Sequence, residues 1–188
     1  MTIRKLMGLA ASLVIGAAGV AAAQDIPVTK PTAEHQRLHD GVGTWDATIK
    51  TWMQGPDSEP SVSQGLEKSR LMPGGLWLIT EFEGKFGDLP FHGASQTGYD
   101  PLKKKYVGSW VDSMSHSLLL TEGEYDPETK TTTSFAKGTD PSGKPFEAKM
   151  TEVQKDRNHR VFTMSMKSDE TKGEYVKSME ITYVRRDK

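Results

Sequence analysis

The residues with the most capacity for chemistry fall into two groups. His35 and His39 stand one helical turn apart, flanked by Glu34 and Asp40. Two imidazoles at that spacing can share a zinc ion. The segment reads HQRLH, however, and lacks the glutamate that a metalloprotease helix places beside its first histidine. A third ligand would have to come from His92 or His116, on distant hairpins. The plainer reading is a helix at one end of the fold whose histidines are packed or hydrogen-bonded. The second group is Trp77, Glu81, His92, Trp110 and Asp112. Tyr106, Gly108, Trp110 and Asp112 share one face of a strand, and Trp77, Ile79, Glu81 and Glu83 share a face of another. If both faces turn inward, two indoles and several carboxylates meet in one cavity. Burial would raise those carboxyl pKa values and suit them to proton donation or to holding a polar ligand head. If Glu81 and Glu83 turn to solvent, they are ordinary strand exterior.

The elements that must carry these residues are strands. "QDIPVTKP", 24–31, has two prolines and no period, and reads as a flexible leader. Thr32 caps a short helix, "AEHQRLHD", which Gly41 ends. From there the hydrophobic period is 2. Ten strands are predicted over 44–53, 61–71, 76–83, 90–99, 105–114, 117–125, 131–137, 146–154, 160–167 and 174–185. "GKFGDL", 84–89, is either a loop or a continuation of the strand before it. The turns between strands include three Asp-Pro steps, at 100, 126 and 140; proline presets φ for a tight turn. Tight turns make successive strands antiparallel neighbours. The expected fold is therefore all-β, an antiparallel up-and-down barrel of about ten strands with a short N-terminal helix, because closure removes exposed edges.

Alternation sorts the side chains. Trp45, Ala47 and Ile49 share a face. So do Phe146, Ala148 and Met150, and likewise Phe162, Met164 and Met166. In the last strand Tyr175, Met179, Ile181 and Tyr183 align with Lys177 and Arg185. A charge on the core parity needs a partner. In a closed barrel the end of the last strand lies beside the start of the first, so Arg185 meets Trp45 in a cation–π contact. Arg186 competes for that role, and parity favours Arg185. Gly43, Trp45 and Arg185 are thus the expected closure. "FHGASQTGY", 91–99, has small residues on both parities and so leaves room for a cavity or a bend. Met164, Met166 and Met179 offer pliable lining or core filler.

Gly43-Thr44-Trp45 behind a helix, with Arg185 in register near the end, resembles the closure signature of the calycins, the lipocalin and fatty-acid-binding-protein superfamily. "HQRLHDGVGTW", "MPGGLWLITEFEG", "LPFHGASQTGYDPLKKKYVGSWVDS" and "ITYVRR" resemble the bacterial domain of unknown function 1579 across most of the chain. That resemblance implies a calycin-like barrel and brings no catalytic residues.

The N-terminus reads as a secretory signal peptide, residues 1–23. Arg4 and Lys5 precede an apolar run, and Ala21 and Ala23 form an A-x-A site before Gln24. The run is short for a span of roughly 20 residues, so no stable membrane span is expected after cleavage. The remainder, 24–188, is a leader to 31 and one domain, 32–188. Without Arg4 and Lys5 the 24 basic residues become 22 against 25 acidic ones, a formal charge of −3, and no basic block marks a nucleic-acid partner. With no cysteine, packing alone must hold an exported fold. No nucleophile elbow or phosphate loop is present, and no cofactor is indicated. The expectation is a periplasmic or secreted barrel binding a small, mostly apolar or amphipathic molecule. Its lining would be drawn from Trp77, Trp110, Asp112, His92, Glu81, Met164, Met166, Met179 and Tyr183. The rivals are a barrel hydrolase or isomerase using Asp112 or Glu81 with His92, a haem or metal binder, and an envelope scaffold with a filled core. Protein partners are not specified, and the helix is either a plug or a lid.

Overall fold

The computed structural model describes residues 29–52, 54–140 and 142–186. Residues 1–23, expected from the sequence to be a signal peptide, and most of the expected leader, 24–31, lie outside them. A single helical turn, α1 (Ala33–Gln36), runs into a 3-10 turn, Arg37–Gly41. Ten strands follow: β1 (Gly43–Thr51), β2 (Ser61–Leu71), β3 (Trp77–Phe86), β4 (Leu89–Asp100), β5 (Lys105–Asp112), β6 (Leu119–Asp126), β7 (Thr131–Thr139), β8 (Pro145–Gln154), β9 (His159–Lys167) and β10 (Val176–Arg185). Each pairs antiparallel with its sequence neighbours, and β10 returns to β1. The fold is the all-β, up-and-down, calycin-like barrel that the alternation predicts. The ambiguous "GKFGDL" continues β3 to Phe86. A two-residue turn then folds it back, with Gly87 at φ +60°, where glycine is the least strained residue.

Turn chemistry sets the register. Asp100 accepts the backbone N–H groups of Leu102 and Lys103 at 2.9 and 3.1 Å, and Asp126 accepts that of Glu128 at 2.9 Å. Both hairpins then pass through a lysine at positive φ, Lys104 at 55° and Lys130 at 52°. The "YDP" repeat is thus one hairpin solution used twice. Its tyrosines, Tyr99 and Tyr125, both face inward beneath α1.

Trp45 and Arg185 are direct cross-strand partners where the barrel closes. The guanidinium lies 3.9 Å from the indole centroid. It also donates to three carbonyls: Asp40 at 2.8 Å, Arg157 at 3.1 Å, and Val42. Trp45 is fully buried, and its Nε1–H donates to the Gly41 carbonyl at 2.9 Å. Gly43 sits between them at φ +136°, and a Cβ there would come within 2.6 Å of Arg185 Nη1. Arg186 instead makes an exposed pair with Asp46 on the outer face.

The helix departs from ideal α geometry, and that settles its histidines. The 3-10 turn eclipses residues three apart. His35 and Leu38 are therefore buried together, while His39 swings out to solvent. Among the described residues no helix is long and apolar enough to cross a membrane.

Arg185→Met should lower the unfolding free energy by about 1–3 kcal/mol through loss of charged hydrogen bonds and stacking. Arg186→Met should change it by less than about 0.5 kcal/mol, as exposed pairs do. Urea denaturation of both variants checks this, and equal effects would contradict the closure role.

Candidate functional site: the barrel lumen

Cross-strand partners share a face, so the buried row Trp45, Ala47, Ile49, Ile181 and Tyr183 identifies the inner side of every strand. The two halves of the inner wall differ. From β9 through β10 and β1 to β3 it carries bulky groups, Phe162, Tyr183, Ile181, Trp45 and Phe82, in one packed cluster. From β4 to β7 it presents Ser95, Thr97, Gly108, Thr121, Thr132 and Ser134. Those small groups stay partly exposed although they face the inside of a closed sheet. Toward the end away from α1, the lining becomes apolar: Phe91, Trp110, Leu119, Phe146, Met164 and Met166, again only partly buried. These inward side chains are less buried than those of the packed half, although they touch the same core clusters.

Glycines keep that lumen wide. A Cβ on Gly93 would run into the six-membered ring of Trp110, one on Gly138 would approach Phe146 to 2.7 Å, and one on Gly65 would approach Phe82 to 2.5 Å. In each case the aromatic ring lies flat on the wall, over backbone, instead of projecting across the barrel. Trp110 is held there by Asp112, which accepts its Nε1–H at 2.9 Å, and by Phe91, stacked at 18° with centroids 6.3 Å apart. The second oxygen of Asp112 accepts the Met114 backbone N–H at 2.9 Å.

The packed half hides a polar network that strand alternation did not bring out. Arg160 is 6% exposed. It donates to Glu67 at 2.5 Å and to Glu152 at 2.6 Å, and lies over the rings of Tyr183 and Trp45 at 4.0 and 4.6 Å. Ser69 donates to Glu67 at 2.8 Å and contacts Thr80 at 2.8 Å. Burial pushes the Glu67 carboxyl above its usual range against the pull of Arg160. Burial also opposes the charge of Arg160, but Glu152 and Glu67 outweigh it and hold the guanidinium firmly protonated. Burial raises the Tyr183 phenol well above its ordinary value, and Glu67 adds to the effect. The available sequence signal was a charge on the core parity of β9, with Arg160 in step with Phe162, Met164 and Met166.

A family model described as "Protein of unknown function (DUF1579)" matches residues 30–185. The chain belongs to that family. Among curated proteins none matches. Among solved structures the chain is similar to the S-type phycobiliprotein lyase CPES from Guillardia theta. The two share 11% identity over 84% of this chain and 94% of that one, with a TM-score of 0.58. At that identity the likeness concerns the fold. A protein of unknown function from the DUF3598 family of Nostoc punctiforme is 6% identical over 83% of this chain and 100% of that one. Its TM-score of 0.24 is too low to bear on this chain.

The residues singled out in the sequence separate into two sets. Trp110, Asp112, Met164, Met166, Met179 and Tyr183 face inward. Met150, Met164 and Met179 form one cross-strand row. Tyr183 belongs to the buried network rather than to the open lining. Trp77, Glu81 and His92 face outward and cannot line the lumen. On β3 it is Leu78, Thr80 and Phe82 that point in, because Phe82 pairs with Glu67 and Gly93. Trp77 lies on the outer face over Gly98. Glu81 and His92 border a shallow outer groove with Lys68 and Glu83. Asp112 and His92 are therefore on opposite sides of the sheet. Lys177 and Tyr175 also leave the predicted inner face. A register shift between Lys177 and Met179 turns Lys177 outward against Ser165, and Tyr175 packs over the exterior Phe135 at 6.3 Å. His35 accepts the Thr32 N–H on Nδ1 at 3.0 Å and meets Tyr99 edge-on at 5.8 Å; His39 is exposed. Among the described residues no three metal-ligating side chains converge.

Gly93→Val should push Trp110 off the wall, destabilise by about 1–3 kcal/mol, and shift the tryptophan emission. Unchanged emission would contradict the flat packing. The phenol of Tyr183 keeps its proton more tightly in the fold than in the unfolded chain. The stability tied to it is intact below pH about 10 and is lost as pH rises through the folded-state value. Tyr183→Phe should flatten the alkaline limb of the stability curve, measured by denaturant melts between about pH 9 and 12.

Proposed function

We propose that this chain is an exported barrel that binds a small, mostly apolar or amphipathic molecule in its lumen. The observation that carries the reading is the half-exposed inner wall: Phe91, Trp110, Leu119, Phe146, Met164 and Met166 face inward yet keep solvent contact. Apolar surface in a concavity is what ligand pockets offer, and methionines adapt to irregular shapes. Asp112 at the rim adds one polar group beside the indole. Export is supported by the basic start, apolar run and A-x-A site of residues 1–23. The calycin-like fold is compatible with the reading but does not select it, since one fold hosts many functions. Catalysis by Asp112 with His92 lacks support, because the pair would have to act across the sheet.

Mass spectrometry of the protein purified from its own host tests this directly. Under native conditions it should carry a mass excess that disappears on denaturation, and the same sample should show an N-terminus at Gln24. A protein without excess mass that also fails to bind any apolar fluorescent probe would overturn the binding reading. A retained N-terminal segment would overturn export by cleavage.

A further inference from the structure

Beneath α1 the lumen holds a cation without a counter-charge. Arg37 leaves the 3-10 turn and lays its guanidinium over the ring of Tyr125, an inward residue of β6. Tyr106, inward on β5, senses the same charge: burial raises its phenol, and Arg37 works against that rise. The Tyr106 hydroxyl donates to the Glu34 carbonyl at 3.0 Å, which holds the turn over this end of the barrel. Arg37 Nε is buried with no hydrogen-bond partner. Among the described residues no carboxylate lies within ion-pair distance of Arg37, although eleven other ion pairs form. Of the two acids three residues away, Glu34 is engaged by the Thr32 hydroxyl at 2.6 Å and Asp40 is exposed to solvent. Arg160 Nε is likewise without a partner, so the difference lies in the counter-charge. That arginine faces the same interior and has two carboxylates.

A cation drawn in from water with unmet donors is costly unless an anion joins it. The wall around Arg37 supplies hydroxyls, from Thr97, Thr121 and Thr132, and the carboxylate beside Thr132, Glu152, is already bound by Arg160. Farther from α1 the lining turns apolar. Resting on the lumen-binding reading, we infer that Arg37 is the receptor for the carboxylate head of an amphiphile whose hydrocarbon chain extends toward Met164, Met166 and Phe146. A planar guanidinium is suited to a carboxylate, which it can grip with two parallel N–H donors. From Tyr106 to Asp112 is six residues, roughly 20 Å along the strand, which is room for a chain of about a dozen carbons.

The test compares dodecanoate, 1-dodecanol and dodecylamine, each titrated into the delipidated full chain and followed by calorimetry. The acid should bind about tenfold or more tightly than the alcohol, and the amine more weakly than either. Arg37→Gln should weaken the acid about tenfold or more and bring acid and alcohol to equal affinity. Arg37→Lys should restore part of the preference, because it keeps the charge without the fork. An alcohol bound as tightly as the acid, or an acid preference that survives Arg37→Gln, would overturn the assignment of Arg37 and leave the lumen reading standing. Failure of all three chains to bind would overturn both. Should Arg37→Gln not fold, the wild-type acid-to-alcohol ratio and the Lys variant decide.

Discussion

A ten-strand sheet without a disulfide must be closed by what its first and last strands say to each other, and here that is an indole under a guanidinium. Trp45 and Arg185 are register partners, and the arginine spends its donors on carbonyls from the helical turn and from the β8–β9 hairpin. One side chain thus ties the closure, the cap and a neighbouring turn together. Its hydrogen bonds are charge-assisted but partly open to solvent, and with the half-buried cation–π contact, worth about 0.5–2 kcal/mol, they make up the modest total expected for this side chain. Remove it and the seam remains paired through the backbone, while the cap loses its bonds at Asp40 and Val42 and rests on the Trp45 bond to Gly41 and the Tyr106 bond to Glu34.

Beside this seam stands a more expensive arrangement. Glu67 on β2 and Arg160 on β9 are separated around the barrel by β1 and β10, so their ion pair crosses the curve of the sheet on the inside. An apolar replacement of similar volume would be expected to stabilise the fold as well or better. What the ion pair does that packing does not is fix levels: Glu67, Ser69, Thr80, Glu152 and Arg160 come from four strands, and each has one partner geometry. A one-residue slip of β2 or β9 would leave buried charge unpaired. The network therefore penalises wrong register in the half of the barrel that is packed, and lets the opposite wall carry small residues.

Much of this could be read from the chain. Period-2 alternation located all ten strands, and β2 matches Ser61–Leu71 to the residue, because strand ends here coincide with proline, glycine and aspartate turns whose chemistry is local. Parity also found Arg185 over Arg186. Two things were not legible. On β3 both parities are apolar at the start, Trp77 and Ile79 against Leu78 and Thr80, so alternation alone cannot tell inside from outside. Pairing with Glu67 and Gly93 decides it. On β10 a register shift between Lys177 and Met179 resets the parity, and no residue type in "YVKSM" announces it. The lumen site suffered from a related difficulty. The proposed head-group receptor, Arg37, comes from a short helical turn where only the 3-10 winding, and not the sequence spacing, sets which side chains go down into the barrel.

That winding also decides whether the cap is a plug or a lid. The hairpins at the capped end are short, 101–104, 127–130 and 155–158. The opposite end carries longer connections, 52–60, 113–118 and 168–175. To lift as a lid, the cap would have to surrender the Trp45 bond to Gly41, the Arg185 bonds to Asp40 and Val42, and the Tyr106 bond to Glu34. It would also expose Leu38 and His35, both buried. At about 1 kcal/mol for each neutral bond and more for the charged ones, opening costs a large share of the roughly 5–15 kcal/mol that holds a domain together, and it breaks the same contacts that close the sheet. Among the described residues no corresponding set of bonds ties a helical cap over the other end. On the proposed binding reading, the way in that breaks none of these bonds lies between the long connections, beside Asp112 and Trp110. The cap is a plug, and Arg37 is anchored at the closed end of the lumen.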